Sequence, residues 1–210
     1  LLVAALGEVV HSNVSISSIQ KIGVGWQVDW NGKTNIYDEV LLTTPAHALD
    51  KLPLDESLQK ALQPLLAIDY SPVSVLTVAF RRSDVAHPLD GFGMLVPEYE
   101  GRKILGALFP VSLFASRAPA GEVLLTVFVG GERQAGLAVP DKDTLLATVL
   151  PELNELFGTT GEPTFSHHRH WPRAIPQYNL GYGKMLAQMD AIEKKFVGLK
   201  LAGNYRDGIS

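Results

Sequence analysis

The chain has 210 residues, 46% of them apolar and 19% charged, a balance ordinary for a globular protein with one large or two small domains. Its formal net charge of -4 shows no basic excess, so no nucleic-acid partner is expected. Cysteine is absent, which excludes disulfides, thiolate nucleophiles, Cys-based zinc sites and iron-sulfur ligation, and fits a reducing compartment.

No apolar run approaches the ~20 residues that a membrane-spanning helix needs. The opening LLVAALGEVV has no Met, basic segment or cleavage site, and reads as the end of a helix closed by Gly7. From Glu8 the residues are strand-like. EVVHSNVSISSIQKI, GWQVDW and NIYDEVLLTTP, with turn signals at Gly23, Gly25, Asn31 and Gly32, predict a three-stranded β-meander ended by Pro45. In the next segment Leu58, Leu62, Leu65 and Leu66 have helical spacing, and Asp55 is the expected N-cap of one or two short helices. A β-rich block follows: SPVSVLTVAFRR, GFGMLVPE, KILGALFP and EVLLTVFVGG. Val123 to Val129 is almost uniformly apolar and predicts a central strand covered on both faces. Asp141 caps the next helix, whose stripe is Leu145, Val149, Leu153 and Leu156, with Pro151 a point of kinking or splitting. PTFSHHRHWPRAIPQYN carries three prolines and predicts an ordered loop. KMLAQMDAIEKKF then forms an amphipathic helix, and Val197, Leu199 and Leu201 alternate like a short strand. Gly203 and Asn204 turn the chain, and Gly208, Ile209 and Ser210 look like a helix start.

Motifs that carry chemistry are few. A dinucleotide fingerprint needs GxGxxG, but GFGMLV has Val96 and GYGKML has Leu186 in the third glycine's place, so both read as turn glycines. His168 and His170 share one face of an extended segment and His167 takes the other. Without a carboxylate partner they read as solvated or hydrogen-bonded histidines, and no metal is expected. No GxSxG elbow is present, and no carboxylate pair stands out. GFGMLVP reads either as a core strand with a bulge or as a greasy wall that lets backbone approach a flat apolar ligand.

Five stretches in order, GFGMLVP, KILGALFP, EVLLTVFVGG, WPRAIPQYNLGYGK and LAGNYRDGIS, together resemble the C-terminal half of the FAD-dependent protoporphyrinogen oxidases, in the amine oxidase-like flavoprotein superfamily. TTPAHAL and the meander before it look like that family too, so the resemblance covers essentially the whole chain. It implies an α+β or mixed α/β fold. A mixed-sheet substrate domain with flanking helices over 46–165 would be joined to incomplete pieces of a Rossmann-like FAD domain over 1–45, which is the meander, and 166–210. It also implies that GxGxxG lies upstream of Leu1 and that a helix continues beyond Ser210. The chain is then an excised segment, expected to bind little flavin and to be inactive alone.

By the same resemblance Val14 meets the adenine side of FAD, Trp171 (or His170, by an equivalent alignment) lies in the tract approaching the flavin, and Gly208, Ile209 and Ser210 present N-H groups to the cofactor. Phe92, Gly93, Leu95 and Phe128 match the wall of the porphyrinogen pocket. The implied chemistry is hydride transfer from protoporphyrinogen or coproporphyrinogen to FAD with dioxygen as acceptor, in haem synthesis, and no catalytic side chain is assigned. A propionate-binding Arg is expected upstream. The implied setting is cytoplasmic, compatible with peripheral membrane contact and with a homodimer of the full-length enzyme. Another oxidase of the superfamily, acting on amines or carotenoids, is the alternative, and IPQY beside GFGMLVP argues against it.

Overall fold

The computed structural model describes residues 2–114 and 116–208. In order these form α1 (Leu2–Leu6), β1 (Ile16–Ile22), β2 (Gly25–Trp30), β3 (Lys33–Tyr37), β4 (Val40–Leu42), α2 (Glu56–Leu62), β5 (Tyr70–Arg81), β6 (Gly93–Leu95), β7 (Gly106–Leu108), α3 (Pro110–Leu113), β8 (Glu122–Gly130), α4 (Lys142–Phe157), β9 (Phe165–Pro176), α5 (Gly183–Lys195), β10 (Leu199–Leu201) and α6 (Asn204–Asp207). The class is mixed α/β. Contacts divide the chain into two units, one of residues 1–69 with 177–210 and one of residues 70–176.

In the first unit β1, β2 and β3 make the antiparallel meander. Its later hairpin turns through Asn31 (φ 47°) and Gly32 (φ 74°), the two successive left-handed residues that a type I′ turn requires. The first strand begins only at Ile16 rather than at Glu8, because Asn13 adopts a left-handed φ of 56° that breaks the extended run. NIYDEVLLTTP also divides. β3 ends at Tyr37, and Val40–Leu42 leaves the meander to pair in parallel with β10, Val40 opposite Leu199 and Leu42 opposite Leu201. Trp26 ties the two sheets together. It is fully buried, and its indole N-H donates to the Val197 carbonyl at 3.2 Å. A Cβ on Gly198 would stand 2.9 Å from that indole nitrogen and 2.7 Å from the Asp38 carbonyl oxygen, so the approach needs glycine. Asp55 caps α2, accepting from the backbone N-H groups of Ser57 and Leu58 at 3.0 Å. Burial opposes ionisation of this carboxyl, but the hydrogen bonds from Ser57 and Leu58 outweigh it and hold the pKa below the ordinary value.

The second unit is one five-stranded sheet in the order β6-β7-β8-β5-β9, antiparallel at every pairing. α4 covers one face with Leu145, Val149, Leu153 and Phe157, against Leu76, Val78 and Phe80 of β5 and Val123, Leu125 and Val127 of β8. Asp141 caps this helix through the Thr144 N-H at 2.7 Å. The helix does not split at Pro151: Lys142–Phe157 is continuous, and the ring sits on its exposed side, where the missing N-H faces water. β8 is central, yet it is not covered on both faces. Val123, Leu125, Val127 and Val129 are buried whereas Leu124, Thr126 and Phe128 are only half-buried, so the uniform apolarity reflects a second, open apolar face. The proline-rich segment is not a loop. Phe165–Pro176 is a twelve-residue strand. Its position at the sheet edge tolerates proline, Pro172 falling in the irregular register between Ser71/Ile175 and Val73/Trp171 and Pro176 at the strand's end.

Candidate functional site

Alternation along a strand assigns each side chain of the five-stranded sheet to one of two faces. On the face away from α4 the register runs straight across all five strands: Leu95 lies opposite Gly106, Gly106 opposite Phe128, Phe128 opposite Val75, and Val75 opposite Arg169. A neighbouring row places Gly93 opposite Leu108, and another places Trp171 opposite Val73. Gly106 contributes no side chain in the middle of this face. A Cβ there would stand 2.4 Å from the Met94 carbonyl oxygen. The result is an apolar groove of about 220 Å³, lined by Val73, Leu95, Leu105, Leu108, Phe128 and Ile175.

Three of the four residues expected at the substrate wall, Gly93, Leu95 and Phe128, thus share one face, and Leu95 and Phe128 line one groove. Phe92 just precedes β6; its side chain is exposed and its carbonyl accepts the Phe109 N-H at 3.0 Å. Trp171 stands on the same open face, half exposed, whereas His170 points to the helix-covered side. Val73, Leu108 and Ile175 were not singled out by motif. The signal for Val73 and Leu108 is the alternation of β5 and β7, and Ile175 reaches the groove through the pairing of β9 with β5.

On the covered side Ser74, fully buried, donates its hydroxyl to the Val139 carbonyl at 2.9 Å. His168 Nε2 and His170 Nδ1 approach the same oxygen at 3.1 and 3.2 Å. With its proton committed to Val139, the hydroxyl accepts from both rings, which makes each of those nitrogens a donor. Burial, followed by the nearby His170 and His167, lowers the His168 pKa below the ordinary imidazole value. Among the described residues no group of three or more His, Asp or Glu gathers as a metal site.

The first unit places Val14 in a groove of about 320 Å³ with Ile16, Val28, Trp30, Tyr37 and Val40. His11 stacks on Trp30 with ring centroids 4.8 Å apart. At the other end of the unit Gly203 (φ 135°) opens α6 and Gly208 (φ 98°) follows it, with open space where a Cβ on Gly208 would point. The short helix α6 precedes Gly208, and the helix start expected at Gly208, Ile209 and Ser210 falls on Ile209 and Ser210, which lie outside the described residues. Two tyrosines of the IPQYNLGY stretch brace this turn. Tyr178 donates to the Asn204 carbonyl and Tyr182 to the Tyr205 carbonyl, and their rings meet edge-on at 4.8 Å. Burial and the Asp207 charge raise the Tyr178 pKa, which favours the protonated donor. No helix among the described residues is long and apolar enough to cross a membrane.

Comparison with known proteins agrees with this fold. A mitochondrial protoporphyrinogen oxidase of Nicotiana tabacum is 38% identical over 178 residues, 83% of this chain and 35% of the relative. The coproporphyrinogen III oxidase of Staphylococcus aureus is 25% identical over 94% of this chain and 42% of its own. The chain spans about a third of the length of the plant relative it matches. A solved structure from Exiguobacterium sp., provisionally assigned as a protoporphyrinogen oxidase, has the same fold, with a TM-score of 0.70 and 21% identity over 94% of this chain and 43% of its own. Residues 2–208 match the family model for flavin containing amine oxidoreductases, and the chain belongs to that family.

Proposed function

We propose that the full-length protein is an FAD-dependent oxidase that dehydrogenates protoporphyrinogen, or coproporphyrinogen, to the porphyrin, with dioxygen as electron acceptor. The observation that carries this reading is the open apolar groove of the second unit. Its lining is apolar and holds no carboxylate, and Trp171 stands in the next row of the same face. A flat apolar macrocycle suits such a surface, whereas an ammonium substrate calls for an anionic or aromatic enclosure. The plant and bacterial relatives named for porphyrinogen oxidation support the same substrate class.

FAD, when bound, supplies the hydride acceptor. The chain's own residues then need only bind, orient and exclude water. They fit a flat heteroaromatic cofactor: the groove at Val14 combines aliphatic side chains with the rings of His11, Trp30 and Tyr37 and has Glu39 in its lining, and Gly208 leaves its backbone open to close approach. We assign Val14, Trp171, Gly208, Ile209 and Ser210 to FAD, and Phe92, Gly93, Leu95 and Phe128 to the porphyrinogen. A cytoplasmic setting, with peripheral contact to a membrane that holds the lipophilic substrate, and a homodimer complete the proposal. Full-length protein supplied with porphyrinogen under air should form fluorescent porphyrin, consume oxygen and leave putrescine unoxidised. Amine oxidation without porphyrin formation overturns the reading. The 210-residue chain itself, which has no GxGxxG, should purify without the flavin absorbance bands, and stoichiometric yellow flavin would contradict that.

A further inference from the structure

We infer that Arg169 is a specificity-determining residue that receives a carboxylate of the bound macrocycle, an inference that rests on the porphyrinogen reading above. Arg169 ends the row that begins with Leu95 and crosses Gly106, Phe128 and Val75. Val75 has Phe128 on one side and Arg169 on the other, which sets the two residues roughly 10 Å apart on one face at the usual strand spacing. A macrocycle lying over Phe128 would bring a carboxylate at its rim above this position. Two other arginines lie on these strands: Arg81, six residues further along β5 and roughly 20 Å from the row, and Arg173, four residues further along β9 in its irregular stretch, outside the regular row.

The guanidinium is prepared for such a contact. Its central carbon lies 4.7 Å from the centre of the Trp171 ring, a cation–π contact that holds the charge beside the groove while the side chain stays exposed. The described ion pairs use Lys60, Arg102, Arg133 and Arg206, and Arg169 pairs with no carboxylate among the described residues. An exposed cation stacked beside an apolar groove matches a ligand that is apolar at its centre and anionic at its edge. A carboxylate binds such a fork with two parallel hydrogen bonds.

The test uses the full-length holoprotein and two probes, protoporphyrin and its dimethyl ester, with binding followed by porphyrin fluorescence. Arg169→Gln should weaken binding of the free acid about tenfold, Arg169→Lys should recover part of that loss, and all three proteins should bind the ester equally. Unchanged free-acid binding in Arg169→Gln overturns the inference. So does a parallel loss of acid and ester, which would report lost packing on Trp171 rather than lost charge. Failure of the wild-type protein to bind either probe overturns the porphyrinogen reading itself, and the inference with it.

Discussion

The hydroxyl of Tyr182 donates to the carbonyl oxygen of Tyr205, and so fastens the loop before α5 to the short helix that precedes Gly208. Tyr178 does the same one residue earlier, at Asn204. These bonds explain why IPQYNLGY and LAGNYRDGIS go together: the first braces the carbonyls of the second. Tyr182→Phe keeps the ring and its edge-on contact with Tyr178 but leaves a part-buried carbonyl without its donor. The expected cost is about 1 kcal/mol, read as a lower urea midpoint with unchanged m-value. Tyr178→Phe, at a more exposed site, should cost less.

Gly93 faces the strand opposite at a distance no side chain can share. Its φ is 150°, and a Cβ would stand 2.3 Å from the Ala107 carbonyl oxygen and 2.8 Å from Leu108 Cα. Both atoms are backbone, so relief requires β6 to separate from β7. Gly93→Ala should therefore destabilise the protein by about 1–3 kcal/mol and lower its thermal midpoint. Gly91→Ala is the control, since nothing lies within 4 Å of its added methyl group.

His168 makes stability depend on pH. Its folded pKa is depressed, first by burial and then by the neighbouring histidines. A depressed pKa means that the unfolded chain binds the proton first as pH falls, so stability is fully present above the ordinary imidazole value near 6.5 and is lost as pH drops through the folded value. Denaturant unfolding at pH 7.5 and pH 5 should show the decline, and His168→Gln, which retains a donor for Ser74, should flatten it. An equal slope in the variant would assign the pH dependence to other groups.

The meander, the Asp55 and Asp141 caps and the α4 stripe are legible from residue pattern, because each depends on neighbours a few positions away. Strand ends and partners are less so. Whether VLL continues the meander or crosses to β10 is decided by Gly198 and Trp26, far apart in sequence. Pro163 just before β9 and Pro172 and Pro176 within it argue for a loop until the strand is known to lie at an edge. The apolar run of β8 cannot distinguish a buried face from one that stays open for a ligand. Phe92, Gly93, Leu95 and Phe128 emerge from a family resemblance, whereas Arg169 and Trp171 become neighbours of the groove only through the register of β5 with β9.

Two leucines separate the folding role of the sheet from its proposed binding role. Leu153 projects from α4 into the core and is fully buried, so Leu153→Ala should cost about 2–5 kcal/mol through lost transfer energy and the cavity left behind. Leu95 lies on the opposite face, 86% exposed, and its removal opens no cavity. Leu95→Ala should change unfolding free energy by no more than about 0.5 kcal/mol. If the groove holds a macrocycle, the same substitution removes apolar wall that the ligand would cover, and porphyrin affinity of the full-length protein should fall several-fold at about 25 cal/mol per Å² of lost contact. The discriminating result is a variant that melts like wild type yet binds porphyrin weakly. A Leu95→Ala protein with native affinity would remove this edge of the sheet from the proposed site.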